Sequence, residues 1–493
     1  MDNPTEPTYP TNSLNFLKRL RGETNGLENH VTKPPASTPP ANPTDGKHIN
    51  GNTPNQSTTT EPKPTPLPLK ILIIGAGLGG LATAIALSHH NHGHSITILE
   101  SAPSLGEVGA GIQIPPNSLR LLLSWGIGPY LEGKAVRPSG IAIRRWEDGR
   151  EIGYTGLVPQ HREKYGAPYW VVHRADFHAG MVELARERGV VIRTGCHVVG
   201  YDEGGPAPAV RLKDGGSVSA DLIVAADGIK SVARAYIPGL KDIQPQMTAF
   251  AAYRATVDVE RMRRDPDTAW LVKEGEPSLN LWIGEGRHVM SYTMSSGKSF
   301  NMVLSHQDSS DPSTWPTDPD ERLKQMRSYY ADWDPTLVKI TQMIEKTMKW
   351  PLMTVPTSPR WLSESKKLLI LGDAAHGMLP YMSQGAAMAV EDGAALAEAL
   401  SFVSEASQLP QALEVWQRVR VQRSSQMQQA SAINGVLWHF GDGPEQKARD
   451  ESMRTEVAKE SIVESANQWS DPVTADWAYG YDACGEIRKQ LQG

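Results

Sequence analysis

Cysteine is almost missing from this chain: Cys196 and Cys484 are the two thiols among 493 residues. Two thiols exclude a disulfide framework and point to a reducing, cytoplasmic setting. Cys196 follows a short predicted strand with no basic neighbour to activate it, so an inert core thiol is expected. A surplus of positive charge is missing as well. Lys plus Arg number 49 against 55 Asp plus Glu, a net charge of −6, which excludes a nucleic acid or an acidic membrane held by a basic surface. No run is suited to spanning a bilayer. The longest stretch made only of apolar residues, Gly and Thr, Ile71 to Leu87, has 17 residues including Gly75, Gly77, Gly79 and Gly80, whereas a spanning helix needs roughly 20 apolar residues. Asp2 and Glu6 come early and no apolar segment follows them, so no signal peptide is expected. No internal repeat is evident.

What is present is unevenly placed. Residues 1–68 hold 13 of the 37 prolines, eight Leu, Ile, Val or Phe, and six residues of each charge. That composition buries too little apolar surface to offset its ordering entropy, which predicts a disordered tail. Its one amphipathic patch, Leu14, Phe16, Leu17 and Leu20 between Ser13 and Gly22, is expected to form a transient two-turn helix, not a docking motif. The rest of the chain is longer than the roughly 250–300 residues at which single cores stop growing.

The body opens with a β-branched run, Ile71 to Ile74, then the glycines, then an Ala/Leu-rich stretch. This reads as strand, tight turn and helix, with a second strand over Ser95–Glu100. Helices are expected near 116–124 and 174–188, and short strands near 190–194, 209–213 and 221–225. Residues 245–305 alternate with period two, the pattern of a half-exposed, mostly antiparallel sheet. A buried-strand pattern returns at Lys367–Asp373, followed by helix over 385–403, over 411–436 and, more weakly, over 446–466. Trp469, Trp477, Tyr479 and Tyr481 are expected to pack onto the body.

Gly75-x-Gly77-x-x-Gly80 gives the first turn a chemistry. The first glycine suits a tight turn, the second lets a pyrophosphate approach the backbone, and the third lets helix and strand pack closely. The helix N-terminus offers free N–H groups to the phosphates. Glu100, 20 residues beyond Gly80, ends the second strand, where an acid suits a ribose diol. The fold expected is α/β: a discontinuous Rossmann-like dinucleotide-binding domain over 69–240 and 365–440, an inserted mostly antiparallel β-sheet domain over 241–364, and C-terminal helices from 441.

Two later segments join the first motif. One runs from Asp221 through Asp227-Gly228 to Ser231 and Arg234. The other is Gly372-Asp373-Ala-Ala-His376, continuing through Pro380 to Gln384-Gly385-Ala386. In these three motifs, in this order, the chain resembles the FAD-dependent aromatic monooxygenases of the salicylate-hydroxylase type over roughly 70–435. The resemblance implies FAD as cofactor and NAD(P)H as a transient co-substrate, with no second strand–glycine–helix unit after residue 100. By that resemblance Gly75, Gly77, Gly80 and Glu100 hold the ADP half, and Gly111, in Gly109-Ala-Gly111-Ile-Gln113, lies beside the flavin. Arg174 sits near the pyrophosphate, Asp227 contacts FAD and NAD(P)H, Asp373 binds the ribityl chain, and Gly385 and Ala386 lie against the isoalloxazine. The absence of a Trp-x-Trp pair sets the chain apart from flavin halogenases.

The activity implied is hydroxylation of a small phenolic or other aromatic substrate with O₂, through a flavin C4a-hydroperoxide and in some members with loss of a carboxyl group. The same fold also supports epoxidation or Baeyer–Villiger-type insertion, or a flavin-binding redox sensor. Arg234 and Tyr253 resemble the arginine and tyrosine that position a phenolate in fungal members, and are the candidate catalytic pair. His376 is expected as a hydrogen-bonding neighbour of Asp373, and His288 as a packed histidine or a phenol base. His89, His90, His92 and His94 read as a polar surface loop, so no metal is expected. A monomer and a homodimer fit equally.

Overall fold

The computed structural model describes residues 12–20, 65–106, 111–295 and 297–492. Its organising element is a five-stranded sheet in the order Leu368–Ile370, Leu222–Ala225, Lys70–Ile74, Ser95–Leu99, Val191–Arg193. Every neighbouring pair is parallel. Such strands are buried on both faces, which explains why Ile71 to Ile74 and Leu222 to Ala225 are apolar at every position. Helices Leu78–His89, Arg174–Glu187 and Gly385–Leu400 belong to this layer, and their apolar residues form one core with the strands.

A second sheet has seven strands in the order Thr347–Thr354, Gln246–Asp258, Ser299–Gln307, Arg287–Met294, Leu279–Gly284, Gly140–Arg145, Glu151–Gly156. The pairing is antiparallel except between Leu279–Gly284 and Gly140–Arg145. Two of these strands come from residues that the sequence pattern placed in the nucleotide-binding part. One face of the sheet is covered by helices Pro319–Tyr329 and Pro335–Met343, each started by an aspartate cap and a proline. The opposite face turns toward the parallel sheet and the long helix Leu409–Trp438.

The chain after 441 forms short helices, Pro444–Ser452, Arg454–Val457, Pro472–Tyr479 and Ala483–Gln492, with irregular backbone where helix was expected toward 466. Its aromatics pack onto the body: Trp469 lies 5.3 Å from Trp438 between ring centres, and Tyr479 lies 5.6 Å from Tyr165. The N-terminal expectation is corrected in part. Asn12–Leu20 is a helix that docks, with Leu17 6% exposed in the same core as the second sheet. Its Arg19 pairs with Glu464. The remainder of the expected tail, and Gly109 of the glycine loop, lie outside the described residues. Among the described residues no helix is long and apolar enough to cross a membrane.

Candidate active site

Parallel pairing brings four chain segments to one edge. Gly372-Asp373, Asp227, Gly75 and Glu100 each follow one of four adjacent strands, so they line the carboxyl edge of the sheet side by side. That edge is where α/β sheets bind ligands. The three glycines there differ in what surrounds them. Gly75 has φ +101°, and a Cβ on it would meet the Ala226 carbonyl oxygen at 2.5 Å. A Cβ on Gly80 would lie 2.0 Å from the Gly75 carbonyl oxygen, so helix and turn touch backbone to backbone. A Cβ on Gly77 would meet nothing within 4 Å. Of the three, Gly77 is the one with open space where a side chain would point.

Glu100 braces this turn, accepting the Ala76 N–H at 2.8 Å and the Ala102 N–H at 2.8 Å. Asp227 accepts the Val232 N–H at 2.9 Å, while its Oδ1 is buried without a partner. Burial pushes its carboxyl above the usual range, opposed by those hydrogen bonds. Gly75, Gly77, Glu100, Asp227 and Gly228 line one cavity of about 360 Å³. Cys196 lines it too, 9% exposed, with its thiol directed to the Thr194 carbonyl oxygen.

A second cavity, of about 250 Å³, lies between the two sheets and is lined by Gly111, Arg174, Asp373, Gly385 and Ala386. The seven-stranded sheet contributes Arg254, His288, Met290, Tyr292, Val303 and Leu352, and Tyr381 and Trp438 also line it. A Cβ on Gly111 would fall 2.3 Å from the Tyr292 ring, so glycine is what lets the loop pass that tyrosine. The Gly111 N–H donates to Asn301 Oδ1 at 3.1 Å. The Arg254 side chain, exposed into this cavity, has no hydrogen bond or ion pair among the described residues, and desolvation by the surrounding walls lowers its guanidinium from the ordinary value, with Arg174 adding repulsion.

The candidate catalytic pair is not in this cavity. Tyr253 points to the opposite face of its strand, 0% exposed, where its hydroxyl donates to Gln325 Oε1 at 2.6 Å and its ring stacks on His306. Alternation decides this: Ala252 and Arg254 face the cavity, so the residue between them cannot. Arg234 is buried beneath the acidic turns. Its guanidinium donates to the Ala374 and Ile229 carbonyl oxygens at 3.0 and 2.6 Å, which supports the Asp373 turn from below. His89, His90, His92 and His94, at the end of helix Leu78–His89 and in the loop after it, meet ring to ring, stacked between His90 and His92 and edge-on in the other two pairs, and no residue cluster suited to a metal occurs among the described residues.

Comparison with known proteins agrees with this geometry. The profile of a family described as FAD binding domain matches residues 68–431. The chain belongs to this family of FAD-dependent monooxygenases. The FAD-dependent monooxygenase OpS4 of Beauveria bassiana is 38% identical over 389 residues, covering 78% of this chain and 89% of OpS4. The 3-hydroxybenzoate 6-hydroxylase 1 of Aquipseudomonas alcaligenes is 33% identical, covering 78% and 91%. Among solved structures, CtdE with FAD and a substrate aligns at TM-score 0.72 and 26% identity, covering 86% and 98% of the two chains. A salicylate hydroxylase substrate complex aligns at 0.69 and 26%, covering 85% and 97%.

The cofactor of this monooxygenase is FAD, and the residues present fit it: an open glycine at a helix N-terminus, an acid closing the adjacent strand, and an unpartnered Asp227 oxygen facing the same edge. A buried charge network that the sequence reading missed holds the flavin-side elements together. Asp392 Oδ2 accepts the Gly372 N–H at 3.0 Å and lies 2.6 Å from His376 Nε2, while Oδ1 accepts Arg420 Nε at 2.8 Å. Glu391 accepts from Arg420, Arg423 and Asn117. Both carboxyls are held below their usual range by these cations despite complete burial. His376 is thus a hydrogen-bonding residue whose partner is Asp392, not the neighbouring Asp373. The signal missed was an acid pair inside an Ala-rich helix, with arginines spaced three apart on the next.

Proposed function

We propose that the chain is an NAD(P)H-consuming FAD monooxygenase that hydroxylates a phenolic substrate in the second cavity. The observation that carries this reading is Arg254: a guanidinium with no side-chain partner among the described residues, lining the same cavity as Tyr292, Tyr381, Trp438, Gly385 and Ala386. An unpaired cation in an aromatic-walled site favours a flat anion, and a phenolate or an aromatic carboxylate meets both conditions. Relatives named 3-hydroxybenzoate 6-hydroxylase and 3-amino-4-hydroxybenzoate 2-monooxygenase support the same substrate class.

In this reading Gly75, Gly77, Gly80 and Glu100 hold the ADP half of FAD, and Arg174 and Asp227 flank the pyrophosphate. Asp373 holds the ribityl chain, and the start of helix Gly385–Leu400 presents its free N–H groups to the ring. When bound, FAD supplies the activation of dioxygen. The protein orients the aromatic ring, stabilises its oxyanion through Arg254, and keeps water out with Met290, Val303 and Leu352. NAD(P)H provides two electrons, one oxygen atom enters the ring and the other leaves as water. The test is NADH and NADPH oxidation by the yellow holoprotein against a panel of hydroxybenzoates and larger phenols. Stimulation with a hydroxylated product is expected; a flavin that neither nucleotide reduces, with or without phenol, contradicts it.

A further inference from the structure

We propose that the substrate is a phenol carrying an apolar side arm, and that Trp350 and Met348 form the shelf on which this arm lies outside the second cavity. The inference rests on the phenolic reading above and adds the part of the substrate beyond the ring. Strand Thr347–Thr354 is the outermost of the seven-stranded sheet at one edge. It runs antiparallel to Gln246–Asp258, with Trp350 opposite Ala252 and Met348 opposite Arg254. Ala252 and Arg254 both line the second cavity, and directly opposed residues of an antiparallel pair share a face. Leu352, two residues beyond Trp350 and so on that same face, lines the cavity too. The cavity wall therefore continues along the sheet from Leu352 and Arg254 to Trp350 and Met348.

This continuation is open and apolar. Trp350 is 48% exposed and Met348 52%, whereas an outermost strand commonly carries charge on its open face. The strand's lone charged residue, Lys349, turns to the other face, where its ammonium lies 2.6 Å from Asp308 Oδ2. Arg322 reaches round the sheet edge, donating to the Thr347 carbonyl oxygen at 3.3 Å and lying 3.9 Å from Met348 Sδ. It borders the shelf at the Met348 end. A second copy of the chain adding a strand here is disfavoured, because Pro351 lacks the N–H that such a strand would bond. A ligand arm needs no backbone partner.

The chemistry of the occupant follows from what adjoins what. Arg254, with no side-chain partner among the described residues, faces an anionic oxygen of the substrate. Met348 stands directly across from Arg254, so the arm leaves the ring next to the group that the guanidinium holds. An alkyl or aryl arm there covers Trp350 and Met348 and removes apolar surface from water on both sides of the contact. A bare hydroxybenzoate fills the cavity and leaves the shelf wet.

Binding is measured without turnover. Oxidised, FAD-loaded protein is titrated in the absence of nucleotide with 3-hydroxybenzoates bearing methyl, propyl or pentyl groups. One series carries the arm beside the hydroxyl, at ring position 4, and the other beside the carboxylate, at position 6. The flavin absorbance band reports occupancy. In one of the two series Kd should fall about twofold per added methylene, half the free energy of full burial because the shelf is open on one side. From methyl to pentyl that is about 15-fold. Trp350→Ser and Met348→Ser should flatten the series while leaving the methyl compound within about twofold, with melting temperatures unchanged, as expected at exposed positions. Trp350→Phe keeps an apolar face and should keep most of the dependence. No dependence in either series, or a dependence that Trp350→Ser leaves intact, overturns the shelf. A parent dimer that Trp350→Ser converts to monomers assigns this face to a second copy and overturns it as well.

Turnover with NADH or NADPH separates the two readings. Hydroxylated product from 3-hydroxybenzoate, with affinity indifferent to arm length, leaves the phenolic reading standing and removes the shelf. A parent that binds and hydroxylates no member of either series removes the phenolic reading, and the shelf with it.

Discussion

His376 Nε2 lies 2.6 Å from Asp392 Oδ2, and the same oxygen accepts the Gly372 N–H at 3.0 Å. One buried carboxylate thus fastens the turn that carries Asp373 to the helix whose start presents Gly385 and Ala386 to the cavity. Gly372 takes φ +61° there, and Asp392 fixes that geometry while Arg420 balances its charge.

Removing that carboxylate should be costly twice over. Asp392→Ala leaves the Arg420 guanidinium buried with half of its partners, a loss of about 3–5 kcal/mol for a broken buried pair. It also frees the Asp373 turn. Thermal denaturation should show the lost stability, and purified Asp392→Ala should carry well under half the parent's FAD per chain. Parent-like flavin content would remove the turn-fastening role.

The glycine turn offers a contrast between two one-methyl changes. Gly80→Ala places a Cβ 2.0 Å from the Gly75 carbonyl oxygen, so the helix must shift and both stability and FAD binding should fall. Gly77→Ala meets nothing within 4 Å. It should leave the apoprotein's melting temperature unchanged while weakening FAD at least tenfold, about 1.4 kcal/mol. Flavin titration of the two apoproteins, beside their melting curves, distinguishes these outcomes.

Much of the first layer was legible in the sequence because its signals are local. Strand, glycine turn, helix and Glu100 occupy one contiguous stretch, and helix 116–124 falls where periodicity placed it. The second sheet is legible only in part. Its strands Gly140–Arg145 and Glu151–Gly156 join by a parallel pairing to Leu279–Gly284, a partner nearly 140 residues away that no local pattern marks. Tyr253 shows a sharper limit. Period two tells that Ala252 and Arg254 share a face and Tyr253 takes the other, yet not which face meets the flavin. Packing of helices Pro319–Tyr329 and Pro335–Met343 settles that, and it puts the tyrosine outside the cavity and the arginine inside.

Adjacent substitutions on that strand should therefore differ. Tyr253→Phe removes the hydrogen bond to Gln325, costing about 1 kcal/mol of stability, and should leave kcat and KM near the parent's. Arg254→Gln removes an unpaired cation, so folding should be no worse, while KM for 3-hydroxybenzoate rises about tenfold. Steady-state kinetics on both variants check this; a larger kinetic loss in Tyr253→Phe than in Arg254→Gln would reverse the assignment.

The C-terminal segment carries a pH signature. Glu456 is 3% exposed and accepts the Tyr154 N–H and Asn467 Nδ2, joining this segment to strand Glu151–Gly156. Burial pushes its carboxyl from 4.5 to about 7. The folded state then holds the extra proton, so this stability is complete below the unfolded value and is lost as pH rises through about 7. The span amounts to about 3 kcal/mol. Glu456→Gln keeps the neutral form at every pH. It should match the parent near pH 4.5 and exceed its melting temperature near pH 8; a parent-like decline with pH would contradict the assignment.

The central claim is oxygen insertion into a phenol, and isotope labelling tests it most directly. The holoprotein is supplied with NADH or NADPH, the hydroxybenzoate panel and isotopically labelled dioxygen, and the product is read by mass spectrometry. The account predicts one labelled oxygen atom on the aromatic ring per nucleotide oxidised in coupled turnover. Nucleotide oxidation with no labelled aromatic product across the panel, or a new hydroxyl drawn from water, would contradict it.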